Sequence, residues 1–388
     1  MTEKLSRDEL AAFREMAASF AKKTLAPMLA HESPDGRLDL LPEILGQARV
    51  VGLLASARPD APGRETGIWG SQTLAHGPQV STLLLEELAT VCGGAAMCLH
   101  AQGLAALLLL RAEKIPGNPP EAVAAAFAES FALPGLATLR EPGREAPAAI
   151  ATTAREAAGG YELSGEKTFV YTCGRPEAFL VFGRDAGGWA CFLVPNDASG
   201  LVVSDAGART GLRAAGLLHL KLDRVKLEED RRLRFSAPAG EVALDHLRCN
   251  LLGLSAISVG VARGALASAK IYAAERYQGG DQIIRHPAVR MLLADSDARI
   301  AAGRAQVESA AGAEGSAEAR LREAARAKLM VTAAAAQAVT DCLQVFGGYG
   351  YMEDYRIEKR LRDVSVLKSA GGSPRELRAL LADWIEEG

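Results

Sequence analysis

The chain has 388 residues, 49% of them hydrophobic and 23% charged. That allows a large core and exceeds one compact layer pair, so a folded chain of two or three domains is expected. A net charge of −3 gives no overall pull toward nucleic acid or an anionic membrane surface.

The first 133 residues read as helices. The opening stretch Met1–Glu9 is polar and lacks the apolar core of a secretory signal, which points to a cytoplasmic protein. Ser6 with Glu9 is a capping box, and Leu10, Phe13, Ala17 and Phe20 follow at spacings of three and four. Pro59 to Pro78 is rich in Gly and Pro, as a surface excursion would be. Val80–Ala89, with Glu86 and Glu87 read as part of a helix face, and Gly94–Ala112 are further helical runs. The apolar stretch Leu104–Leu110 is too short to span a bilayer and reads as buried helix.

Residues 134–235 change period. Tyr161–Thr172, Ala178–Gly183, Trp189–Pro195 and Leu201–Ser204 are β-prone runs separated by Gly, Asp and Asn. Leu218, Leu220 and Leu222 alternate with His219, Lys221 and Asp223, the period of a strand. From 236 to 388 the helical period returns in Val242–Arg276, Pro287–Ala311 and Ala317–Phe346, which suit a helix bundle. The six cysteines show neither CxxC pairs nor metal-ligand spacing and read as buried reduced thiols. His246 and His286 lack partners at metal-ligand spacing.

Short motifs punctuate this frame: Glu141-Pro-Gly143, Gly165-Glu-Lys167, Arg209-Thr-Gly-Leu-Arg213, Leu244-Asp-His-Leu-Arg248, Glu275-Arg276, Gln344-Val-Phe-Gly-Gly-Tyr-Gly-Tyr351 and Glu358-Lys-Arg-Leu-Arg-Asp363. In this order they resemble the acyl-CoA dehydrogenases over nearly the whole chain. The resemblance implies an α+β fold: an N-terminal α-helical domain (1–133), a middle β-barrel or sandwich domain (134–235) and a C-terminal four-helix bundle (236–388). It also implies FAD and an acyl-CoA thioester, with proton removal at Cα by a glutamate, hydride transfer from Cβ to the flavin, and an electron-transfer flavoprotein as acceptor.

The implied sites are unevenly kept. The family's glutamate falls on Gly371 in Lys368-Ser-Ala-Gly-Gly-Ser373, so no catalytic base is expected. An alternative base position, the residue before Arg248, holds Leu247. Glu376 lies five residues past the lost base on an expected helix. In the loop that would meet this subunit's own flavin, Arg140 and Ala146 stand where the family has Thr and Ser, and Arg144 and Glu145 fill small positions. Phe169 can still pack on a flavin ring, but Tyr171 replaces a small hydroxyl residue. The half of the site that the family lends to a neighbour's flavin is better preserved. Arg276 matches the arginine at the pyrophosphate, and Gln344, Gly347 and Gly348 match the dinucleotide-facing segment. Gln278 replaces a usual Thr, and Gly279 and Pro287 also depart from the pattern. Ser373 falls on a further cofactor position, and Asp245, Arg248 and Gly372 on substrate positions.

This pattern implies a non-catalytic subunit sharing FAD with a catalytically competent sister acyl-CoA dehydrogenase. Two alternatives stay open: a homomeric FAD protein doing base-independent elimination or desulfination on a CoA ester, and a flavin-free scaffold.

Overall fold

The computed structural model describes residues 5–28, 41–54, 68–113, 135–137, 151–172, 176 and 178–386. Helix α1 (Arg7–Phe20) starts at the capping box: Ser6 Oγ accepts from Glu9 N–H at 3.2 Å, and Glu9 Oε2 accepts from Ser6 N–H at 2.8 Å. Helices α2 (Leu41–Val50), α3 (Pro78–Ala89) and α4 (Gly93–Arg111) follow. Pro78 opens α3 at a position where its missing N–H costs nothing. The surface excursion expected over 59–78 lies largely outside the described residues.

The middle of the chain is a sheet. Its strands are β1 (Gly135–Ala137), β2 (Thr153–Ala157), β3 (Gly160–Thr172), β4 (Ala178–Asp185), β5 (Gly188–Pro195), β6 (Leu201–Asp205), β7 (Gly216–Glu228) and β8 (Arg232–Leu233). They run in the order β6-β7-β3-β2-β4-β5-β8, with β1 parallel beside β4. β4 and β5 are nearly continuous apolar runs because both of their faces are covered. Phe179, Val181, Phe192 and Val194 face a core internal to the sheet, while Leu180, Phe182, Cys191 and Leu193 face the helices. Leu220 and Leu222 point inward from β7 and Lys221 and Asp223 outward, as their alternation requires.

The bundle comprises α5 (Ala239–Glu275), α6 (Pro287–Ala311), α7 (Ala317–Val345), α8 (Ile357–Leu367) and the terminal α9 (Pro374–Glu386). Its long helices are Ala-rich, with backbones that approach closely. Helices α4 and α5 are apolar and long enough to cross a membrane by composition, but both are mostly buried inside the protein. The run Leu104–Leu110 thus belongs to a longer apolar helix than its own length suggests. The cysteines at 92, 98, 191, 249 and 342 are free and buried, and Cys173 lies outside the described residues.

Two polar clusters fix the domains against each other. Glu86 and Glu87 are 5% and 6% exposed, so they are not a solvated face. Arg263 on α5 reaches both carboxylates at 2.8 Å, Arg304 on α6 meets Glu86 at 2.9 Å, and Arg14 on α1 meets Glu87 at 2.9 Å. At the other junction Asp363 on α8, 2% exposed, accepts from the buried Leu212 N–H at 2.6 Å and pairs with Lys359 at 2.8 Å. A Cβ at Gly211 would collide with the Arg362 backbone, so only glycine lets the β domain sit this close to α8.

Candidate functional site: an interdomain cavity and a bundle-end cleft

Where α4, α5, the sheet and the turn after α8 meet, they enclose a cavity of about 340 Å³. Leu104, Leu217, Leu254 and Val366 give it apolar walls. Gly371 sits on this wall at φ +70°, a left-handed conformation that disfavours side chains. A Cβ built there would stand 2.5 Å from Leu254 Cδ1 and 3.1 Å from Asn250 Nδ2. A side chain at the position expected to lack a base would thus need the Leu254 side chain to shift, on a backbone that already disfavours one.

The turn is held from both sides. Lys328 on α7 is fully buried, and its Nζ donates to Leu367 O at 2.6 Å and to Lys368 O at 3.3 Å, closing the carboxyl end of α8. Burial brings this ammonium down to about 7. On the far side, Ser373 Oγ accepts from Glu376 N–H at 3.3 Å and Ser373 N–H donates to Glu376 Oε2 at 2.6 Å. Ser373 is thus part of a reciprocal cap for α9, and the Glu376 carboxylate is turned to that cap. Gly372 is buried beside Gly371 at φ +142°.

The sheet contributes Phe169 and Tyr171 to the same cavity. Phe169 occupies a register shift between β3 and β7 and has φ +57°, rare for an aromatic residue. The bulge leaves its ring 43% exposed, edge-on to His219 at 5.1 Å. Tyr171 is buried at 7%. Arg140, Arg144, Glu145 and Ala146 lie outside the described residues.

A second, open cleft of about 510 Å³ lies at the end of the bundle. It brings together Arg276, Gln278, Gln344, Gly347 and Gly348, five positions that the sequence assigned to one cofactor half-site. Tyr272 stacks on Phe346 at 4.4 Å and Tyr355 packs edge-on against both, making a rigid base. The Arg276 guanidinium lies 5.2 Å over the Tyr349 ring and has no acidic partner among the described residues. Gln278 is held by its own carbonyl, which meets His286 Nε2 at 2.8 Å. Gly347, at φ +56°, and Gly348 have nothing within 4 Å of a built Cβ, so their backbone is open to a ligand. A fork of N–H donors, two carboxamides and bare backbone suit a pyrophosphate, and the set fits the dinucleotide part of FAD.

Asp245 and Arg248 lie elsewhere. Asp245 pairs with Arg111 at 2.5 Å and with Arg248 at 3.1 Å, and Arg248 donates to Ala311 O at 2.7 Å. Burial pushes the Asp245 carboxyl up, but Arg111 and then Arg248 outweigh it, and it ends below the ordinary carboxylate value. Neither residue lines the cavity. Two cavity residues had no signal in the sequence, Asn250 and His100. Their roles depend on a contact between residues 150 apart, with His100 Nε2 3.1 Å from Asn250 Oδ1.

Comparison with known proteins is consistent across the chain. Residues 139–225 match the family model described as acyl-CoA dehydrogenase, middle domain, and residues 240–386 match acyl-CoA dehydrogenase, C-terminal domain. An acyl-CoA dehydrogenase of Bacillus subtilis (strain 168) is 30% identical over 66% of this chain and 69% of its own length. Cyclohexane-1-carbonyl-CoA dehydrogenase of Geobacter metallireducens is 26% identical over 97% of both chains. The solved structure of butyryl-CoA dehydrogenase from Megasphaera elsdenii superposes with a TM-score of 0.81 over 100% of both chains at 24% identity, a likeness of fold.

Proposed function

The chain belongs to the acyl-CoA dehydrogenase family, and we propose that within it this chain is the non-catalytic subunit of a heteromer that desaturates an acyl-CoA thioester. One observation carries the reading. The position of the base is a glycine packed against Leu254 in a left-handed turn, while the bundle-end cleft offers an unpaired guanidinium and open glycine backbone.

In this role Arg276, Gln278, Gln344, Gly347 and Gly348 hold the pyrophosphate end of FAD shared with a competent sister subunit. Bound FAD supplies the hydride acceptor, and an electron-transfer flavoprotein is the onward partner. Among the described residues the cavity wall has no carboxylate to take the α-proton, and in this reading that step belongs to the sister. Loss of a general base costs roughly 10²–10⁴ in rate, and the isolated chain is inactive as a dehydrogenase. A second reading, a homomeric flavoprotein acting on a CoA ester without a base, draws support from the retained cavity of about 340 Å³.

The test is the flavin-to-protein ratio of the co-purified complex. One flavin per pair is expected, and Arg276→Ala lowers occupancy about tenfold or more, the worth of a charge-assisted hydrogen bond to phosphate. If the chain purified alone binds one FAD per subunit, the heteromeric reading is wrong. A chain that holds no flavin in either state is a scaffold.

A further inference from the structure

The cavity beside Gly371 is lined by donor atoms that no described residue satisfies. His100, on α4, is fully buried, with its Nε2 3.3 Å from the Asn250 backbone carbonyl and 3.1 Å from Asn250 Oδ1. A carbonyl oxygen only accepts, so Nε2 carries the hydrogen, and the side-chain atom facing it is the carboxamide oxygen. That orientation turns Asn250 Nδ2 toward the turn, 3.1 Å from where a Cβ at position 371 would stand. Among the described residues Nδ2 has no hydrogen-bond partner, and it is not sealed from solvent. Burial keeps His100 neutral, its value brought down to about 4, so its hold on the carboxamide does not change near neutral pH.

Arg209 lies on the same wall. Its Nη2 donates to Ala215 O and Arg213 O, while among the described residues Nη1 has no partner and no carboxylate pairs with the guanidinium. Among the described lining residues there is one cation and no acid. A guanidinium against mostly apolar walls is strongly favoured by an anion that enters with the ligand.

We propose that this cavity binds a CoA thioester whose short acyl group carries a carboxylate, received by Asn250 Nδ2 and the Arg209 guanidinium. His100 is a positioning residue, fixing which end of the Asn250 carboxamide faces the ligand. The proposal rests on reading the cavity as the acyl pocket of the family. Straight aliphatic acyl groups leave both donors unpaired, and the cavity discriminates against them for that reason.

Calorimetric titration of the full chain with succinyl-CoA and butyryl-CoA tests this. Succinyl-CoA binds about tenfold or more tightly in the wild type. Asn250→Asp keeps the bond to His100 Nε2 but offers the ligand a carboxylate, and it abolishes or inverts the preference. Arg209→Met reduces it, and circular dichroism shows whether each variant is folded. Equal affinities in the wild type, or a preference that survives Asn250→Asp, overturn the proposal and leave the family reading intact. Failure of both thioesters to bind overturns the acyl-pocket reading together with it.

Discussion

Installing the missing base at its family position would not repair this chain. Gly371→Glu must hold a left-handed backbone, at about 1–2 kcal/mol, and must displace Leu254, which is fully buried and 2.5 Å from the new Cβ. Overpacking of that kind costs about 1–3 kcal/mol, so the variant loses roughly 2–5 kcal/mol in all. Gly371→Ala suffers nearly the same loss, because backbone and Cβ cause it and the carboxylate does not. In urea, followed by circular dichroism, both midpoints fall by roughly 1 M with the slope unchanged. Leu254→Ala, costly in the wild type, is less costly beside Gly371→Glu because it empties the space the new side chain needs. Dehydrogenation of acyl-CoA esters does not appear in either background. Wild-type midpoints for both Gly371 variants, or a Leu254→Ala cost that is the same with and without Gly371→Glu, would refute the steric reasoning.

Lys328 makes stability depend on alkaline pH. Burial lowers its folded value from 10.5 to about 7, so between these values the unfolded chain binds more protons, and stability rises with pH across that window. The slope from this group is at most about 1.4 kcal/mol per pH unit, and urea midpoints between about pH 7 and 10 should lose it in Lys328→Met. An identical pH dependence in the variant would mean that Lys328 titrates normally. Asp363→Ala leaves the buried Leu212 N–H without its acceptor and Lys359 without its carboxylate. A loss of about 2–4 kcal/mol is expected, and a change below about 0.5 kcal/mol would show that solvent replaces the carboxylate there.

The architecture was legible because it is written in short-range period. The spacing after Ser6, the alternation from Leu218 to Leu222 and the Pro287–Ala311 run each correspond to the element they suggested. The cleft was legible in its membership through the family resemblance, and the structure brings Arg276 and the Gln344–Gly348 segment together because α5 and α7 both end there. Other features were not legible, for a common reason. Glu86 and Glu87 look like a solvated face until three helices supply Arg14, Arg263 and Arg304. Lys328 looks like an exposed helix charge until the end of α8 arrives above it. The glycine at 371 stands in the sequence, and the family resemblance is what marks it as the expected position of a base. The left-handed turn that disfavours a side chain there could not be read from it, because φ is set by what packs around it.

The buried carboxylates on α3 have a further consequence, for uniqueness. Alanine-rich helices present low relief, and sliding one along another by a turn sacrifices little packing. The four-residue run Ala333–Ala336 on α7 shows how repetitive such a surface is. Glu86 tolerates no such slip: shifted by one turn, its carboxylate would be stranded in an apolar interior away from Arg263 and Arg304. The charges thus act as a key that admits one alignment of α3 against α5 and α6, while the smooth alanine surfaces supply the close approach.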